Sequence, residues 1–252
     1  MKPSIDELRV VCQPPELLSR SSEEHWAGRL YMRRLSIYVT WLAIRLGLSP
    51  NSLTAAMIVV GLLAGVVLAT VAGVGGALTA ALLIQTYLLL DCSDGEVARW
   101  TSRTSVKGVY LDRLGHYLVE GGLLIGLGIA ASDESGESWL ALGLAGAIGV
   151  IMTKVVADLV AASRARSGLA PSRESALTER RSLPRRISGV VPVHRAVGAV
   201  ELSLLVVVAA VLDSLGATMR YTTLLLISLV AIAWAGFVIR TVVILRSSRL
   251  DQ

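Results

Sequence analysis

The chain is poor in what soluble and secreted proteins of its size rely on. It has one Phe, two Cys and three His in 252 residues, and only 17% of its residues are charged. The two cysteines, Cys12 and Cys92, fall in segments expected to face a reducing cytoplasm, which argues against a disulfide framework. The first 48 residues hold no apolar core long enough for a cleaved signal, and no internal repeat or low-complexity tract is visible. What the chain has instead is apolarity in long blocks, 54% of its residues, which means a membrane protein. Its net charge of +5 and pI near 9.6 would suggest nucleic acid in a soluble domain. Here the positive residues flank apolar blocks, so topology and anionic headgroups account for them and no nucleic-acid partner is expected.

The apolar blocks predict six transmembrane helices, near 52–73, 76–99, 108–131, 138–163, 196–214 and 219–245. Each has about 20 residues or slightly more, enough to cross a hydrocarbon layer of about 30 Å. Lys and Arg collect in the N-terminal arm, between helices 2 and 3 (Arg99, Arg103, Lys107), between helices 4 and 5 (Arg164 to Arg195) and after helix 6. The alternate connections are Gly-rich around Gly73–Gly76, acidic at Asp133, Glu134 and Glu137, or carry Arg220 alone. The asymmetry places both termini in the cytoplasm. The fold expected is an all-α integral membrane protein with a cytoplasmic arm over 1–48, a six-helix catalytic domain over 49–246 and a tail over 247–252.

Within the arm, Tyr31, Leu35, Tyr38, Leu42 and Leu46 recur at steps of three or four. Trp26, Trp41 and interleaved arginines complete the pattern of an interfacial amphipathic helix, which Gly47 ends. Pro50 then breaks the chain before the first span, with Asn51 or Ser52 expected to cap it.

One stretch interrupts the apolar sequence with carboxylates at helical spacing. Asp91 and Asp94 are three residues apart and share a face. Asp112 and His116 are four apart and share a face of the next helix, with Gly108 one turn earlier. Bringing the two faces together makes a cage of oxygen ligands suited to Mg²⁺ or Mn²⁺, which in turn suit phosphate substrates. Charges inside spans cost a few kcal/mol each and mark sites or pathways. Gly95, Ala98 and Gly108 keep bulk away from these faces, which serves close helix packing or leaves room for a ligand.

The spacing D-x2-D-G-x2-A-R-x8-G-x3-D-x3-H resembles the signature of the CDP-alcohol phosphotransferase (CDP-alcohol phosphatidyltransferase) family, whose last position is Asp. Seven of eight fixed positions agree, and His116 stands at the eighth. The resemblance implies a metal-dependent transfer of a substituted phosphate group from a CDP-alcohol to an acceptor hydroxyl, with release of CMP. It implies CDP-diacylglycerol as donor, a role in phospholipid biosynthesis, a homodimer, and a bacterial-type plasma membrane with the site facing the cytoplasm. It makes Asp91, Asp94, Asp112 and His116 the metal ligands, and Gly95, Ala98, Arg99 and Gly108 the nucleotide-binding positions. The Pro50-Asn51-x-Leu53-Thr54 run is similar to the family's, which would set Asn51 and Thr54 near the nucleotide.

His116 falls where the family carries its general base. A neutral imidazole can do base chemistry near pH 7 but brings no negative charge to a second metal. Glu120, one turn on, is expected to hold the ring as in carboxylate–imidazole pairs. Lys154 and Asp158, four residues apart in helix 4, either pair with each other or line an acceptor pocket with Lys154 drawing in a phosphate. Glu201 is a further intramembrane charge. Two other classes compete with the enzyme. A catalytically silent relative would follow from the loss of the last Asp. A transporter would use buried Asp, Glu, His and Lys but leaves the Asp-Gly-x2-Ala-Arg run unexplained.

Overall fold

The computed structural model describes residues 3–14, 26–135, 138–168, 198–216 and 220–246. The Arg-rich connection from residue 169 to 197, with His194 and Arg195, lies outside these, as does the tail from 247. Eight α-helices occur among the described residues: α1 (Ile5–Cys12), α2 (Arg33–Arg45, led in by a π-helical turn Gly28–Met32), α3 (Pro50–Thr70), α4 (Gly73–Thr101), α5 (Val106–Ser135), α6 (Leu140–Arg166), α7 (Ala199–Gly216) and α8 (Arg220–Leu245). Helices α3 to α8 are long and apolar enough to span a bilayer, so the chain is an all-α integral membrane protein with the six spans expected.

Helix α1 was not expected, although its signal is in the sequence. Ser4 and Glu7 form a capping box: the Ser4 hydroxyl accepts from the Glu7 amide at 3.2 Å and the Ser4 amide donates to Glu7 Oε2 at 2.8 Å. The start of α3 corrects the cap. Ser49 does the capping, its hydroxyl accepting from the Ser52 amide at 3.1 Å. Pro50 is the first helical residue, where its missing N–H costs nothing and its fixed φ is preset for a helix. Asn51 is thereby released from capping. Helix α2 ends as expected at Gly47, whose φ of +68° lets the Leu48 amide reach back to the Ala43 carbonyl at 2.9 Å.

The chain divides into two compact units. One comprises Met1–Leu63 and Leu82–Leu118, the other Ala64–Ala81 and Val119–Gln252. In the first, α2 buries Ser36, Ile37, Thr40 and Ala43. It leaves Leu35, Tyr38, Leu42 and Leu46 exposed, so the apolar stripe legible in the sequence points away from the protein, as a lipid-facing surface does. Arm and signature helix run alongside each other: the Tyr31 hydroxyl donates to Gln85 at 2.6 Å and the Thr40 hydroxyl to Glu96 at 2.7 Å. Leu8, Cys12 and Ile37 form a buried cluster lined by Trp41 and Trp100. Burial pushes the Cys12 thiol up to about 11, and the neighbouring Glu96 carboxylate adds to the rise. Both cysteines are free.

The second unit packs through small residues, as membrane helices do. A Cβ on Gly65 of α3 would lie 2.8 Å from the Gly122 carbonyl of α5, and one on Gly143 of α6 2.7 Å from the Leu124 carbonyl. Helix α8 locks onto α6 through Trp234 Nε1, which donates to the Ala145 carbonyl at 3.1 Å. Asp213 at the end of α7 caps α8, accepting from the Tyr221 and Thr222 amides and from the Thr222 hydroxyl.

Candidate metal and active site

The signature half of α4 and the first turns of α5 lie in the first unit and bring the expected side chains together. Asp91, Asp112 and His116 each offer a ligand atom, all within 4.8 Å of one another. His116 Nε2 is 3.4 Å from Asp91 Oδ1 and 3.5 Å from Asp112 Oδ1. Asp94 directs Oδ2 to the Thr54 hydroxyl, which donates at 2.5 Å. Thr54 is buried on α3, against the second signature carboxylate. Two carboxylates and an imidazole nitrogen converging on one point, with a third carboxylate held by a hydroxyl, fit a divalent cation in donor type.

The other signature positions fall as follows. A Cβ on Gly108 would meet Asn51 Oδ1 at 3.2 Å, so the missing side chain lets α5 pass against the first turn of α3. An open cleft of about 340 Å³ lies beside this contact, lined by Ser49, Pro50, Asn51, Arg103, Thr104 and Ser105. A Cβ on Gly95 would come within 3.2 Å of the Arg99 guanidinium, which folds back over it. Ala98 lies half-buried one position before. Arg99 Nε donates to the Cys12 carbonyl at 2.9 Å, while its buried Nη2 has no hydrogen-bond partner among the described residues. Gly115, at a variable position of the signature, is tighter still, since a Cβ there would lie 2.7 Å from Ile58.

One expected pairing is replaced, and one of two open alternatives is not taken. Glu120 does not hold His116; its carboxylate accepts from Lys154 Nζ at 2.8 Å, across from α5 to α6 in the second unit. Lys154 in turn pairs with Glu120 rather than with Asp158. A carboxylate and an ammonium within a membrane helix bundle neutralise each other at lower cost than two separate charges. The ring of His116 has a different neighbour, Tyr87 of α4, whose hydroxyl is hydrogen-bonded to Nδ1. Tyr87 lies one turn before Asp91 and is 2% exposed. Nothing in the spacing singled it out, because a Tyr in an apolar helix reads as packing.

Glu96 was also missed. It occupies a variable signature position, yet it is fully buried and collects donors from the arm: Gln13 at 2.8 Å, Ser36 and Thr40 at 2.7 Å each, and Arg33 at 3.3 Å. One buried carboxylate thus fastens the arm to the signature helix. Glu96→Leu would remove the carboxylate that Arg33 and two buried hydroxyls share, and is expected to cost about 3–5 kcal/mol of stability. The unfolding midpoint in detergent, followed by tryptophan fluorescence, checks this; an unshifted midpoint would show that the network contributes nothing.

A polytopic helical membrane protein with a cluster of carboxylates and an imidazole that could hold a metal ion, built on neighbouring helices, is the class that fold and site define. The family model described as CDP-alcohol phosphatidyltransferase matches residues 47–245, so the chain belongs to that family. It is a transferase acting on a CDP-alcohol donor and an alcohol acceptor, in a family that uses a divalent metal. No curated protein matches the chain.

Proposed function

We propose that the protein transfers the phosphatidyl group of CDP-diacylglycerol to the hydroxyl of a small acceptor alcohol, releasing CMP, on the cytoplasmic side of a bacterial-type plasma membrane. The observation that carries this reading is the convergence of Asp91, Asp112 and His116 beside Asp94 and Thr54 on membrane-spanning helices. The exposed Leu35, Tyr38, Leu42 and Leu46 of α2 favour a donor that stays in the bilayer, because the helix bearing them is fastened to the signature helix.

Asp91, Asp94 and Asp112 would hold the cation, which when bound neutralises the pyrophosphate and the charge that builds on departing CMP. Thr54 fixes the Asp94 carboxylate. Arg99, Gly95, Ala98, Gly108 and Asn51 would receive the nucleotide, with the buried Arg99 Nη2 as an uncommitted donor. The acceptor oxygen attacks the phosphatidyl phosphorus, the bond from that phosphorus to the CMP oxygen breaks, and His116 Nε2 takes the acceptor's proton. Asp91 and Asp112 stabilise the resulting imidazolium. The 4.8 Å grouping favours a second role for the same nitrogen, as a metal ligand. The family's carboxylate has two oxygens for these two tasks, whereas His116 has one nitrogen left once Nδ1 is engaged by Tyr87.

The test is release of labelled CMP by the purified protein in lipid, with CDP-diacylglycerol against water-soluble CDP-alcohols and across a panel of acceptor alcohols. Release with CDP-diacylglycerol that depends on one acceptor supports the reading; release only with a soluble donor overturns the choice of donor. Orientation is checked separately. A cysteine introduced at Ser172 should be shielded from an impermeant reagent applied to intact cells, and one at Ser135 should react. The opposite pattern would reverse the topology.

A further inference from the structure

The structure assigns Tyr87 as the residue that positions His116, by accepting the ring proton at Nδ1 and so leaving Nε2 with its lone pair toward Asp91 and Asp112. This rests on the site reading above, but it holds whether Nε2 takes a proton or binds the cation, since both need Nε2 unprotonated.

The argument starts from the two faces of the ring. Nε2 lies 3.4 and 3.5 Å from two carboxylate oxygens. In a neutral imidazole one nitrogen carries the proton and the other the lone pair. The field of two carboxylates draws the proton to Nε2, which would turn the histidine into a passive strut between them. A hydrogen-bond acceptor at Nδ1 works against that field. Histidines that act as ligands or bases generally have their tautomer set by the partner at the far nitrogen. Glu120, the expected partner, is committed to Lys154. Tyr87 Oη, a hydroxyl able to accept as well as to donate, occupies the position, and the phenol ring also stands edge-on to the imidazole, with centroids 5.9 Å apart and planes at 84°. The phenol is held in place by burial on the same helix as Asp91, one turn away. Tyr87 and Asp91 therefore face the two nitrogens of one ring from a single rigid element.

The test uses Tyr87→Phe, which keeps the ring and its packing and removes only the oxygen. The chain has three histidines, so protein labelled with ¹⁵N-histidine in lipid nanodiscs gives a spectrum in which His116→Asn identifies the signals of His116. With Mg²⁺ present, wild-type His116 is expected to show a protonated Nδ1 and an unprotonated Nε2. In Tyr87→Phe the proton should move wholly or partly to Nε2, and CMP release should fall about 10–100-fold, the usual cost of losing such a supporting hydrogen bond. A protonated Nε2 in the wild type, or a Tyr87→Phe spectrum identical to the wild type, overturns the assignment. The site reading is tested apart from it by His116→Ala: full activity there removes His116 from the chemistry, while the spectra still decide what Tyr87 does. Loss of activity in His116→Ala with wild-type spectra and turnover in Tyr87→Phe leaves the site standing and removes Tyr87.

Discussion

Asp112→Asn is expected to lower CMP release by about 10³-fold or more, and Asp91→Asn to do the same. The size follows from the several kcal/mol that a bound cation contributes to a phosphoryl transition state, at 1.36 kcal/mol for each tenfold in rate. Each substitution keeps the shape of the side chain and removes one negative charge from a cage whose atoms lie within 4.8 Å of one another. Asp94→Asn is the most discriminating of the three. The amide oxygen can still accept from the Thr54 hydroxyl, so a loss of activity there reports charge rather than a lost hydrogen bond. EDTA should abolish release in the wild type, and excess Mg²⁺ or Mn²⁺ should restore it. Turnover that survives EDTA, or survives in any one of the three variants, would remove the metal from the reaction.

His116→Ala is expected to lose about 10²–10⁴ in turnover, the range for a removed general base. The two roles open to Nε2 separate on a metal titration of the same variant. If Nε2 takes the acceptor proton, the half-saturating concentration of Mn²⁺ stays close to the wild-type value while turnover falls. If Nε2 is a ligand, that concentration rises and part of the activity returns at high Mn²⁺. His116→Asp installs the residue that the resemblance implies at this position and should recover activity beyond the alanine variant. Its carboxylate also makes the donor set all-oxygen, so the activity recovered should lean toward Mg²⁺, which carboxylate and water ligands suit. Wild-type turnover in His116→Ala, with chemistry shown to be the slow step, would exclude both roles.

The contrast between the signature aspartates and Glu96 shows where spacing along the chain stops being informative. Asp91 and Asp94 were recognisable because their spacing, with that of Asp112 and His116, has a geometric meaning on helices. Glu96 has no such partner in sequence. Its four-way role appears only when Gln13, Arg33, Ser36 and Thr40 are carried to it by the packing of the arm. The pairing of His116 failed for the same reason. Glu120 lies one turn on from His116 along the helix, and local spacing made it the natural choice. Lys154 approaches it from a different helix, and a full ionic partner outcompetes a neutral ring. The cap of α3 was missed on a finer scale, because Pro50 was read as a break when it is also a good first helical residue.

The order of residues by itself determined the class of molecule, the number of spans, the family signature and the carboxylates of the cage, all of which depend on hydropathy over about 20 residues or on contacts one turn apart. Tertiary structure alone decided which partner each charged or polar group took: Glu120 with Lys154, His116 with Tyr87, and Glu96 with the arm. The physical reason is that the cost of an unpaired charge away from water sets only the need for a partner. Which partner answers that need depends on which helices lie side by side, and small residues such as Gly65, Gly115 and Gly143 govern that by letting backbones approach.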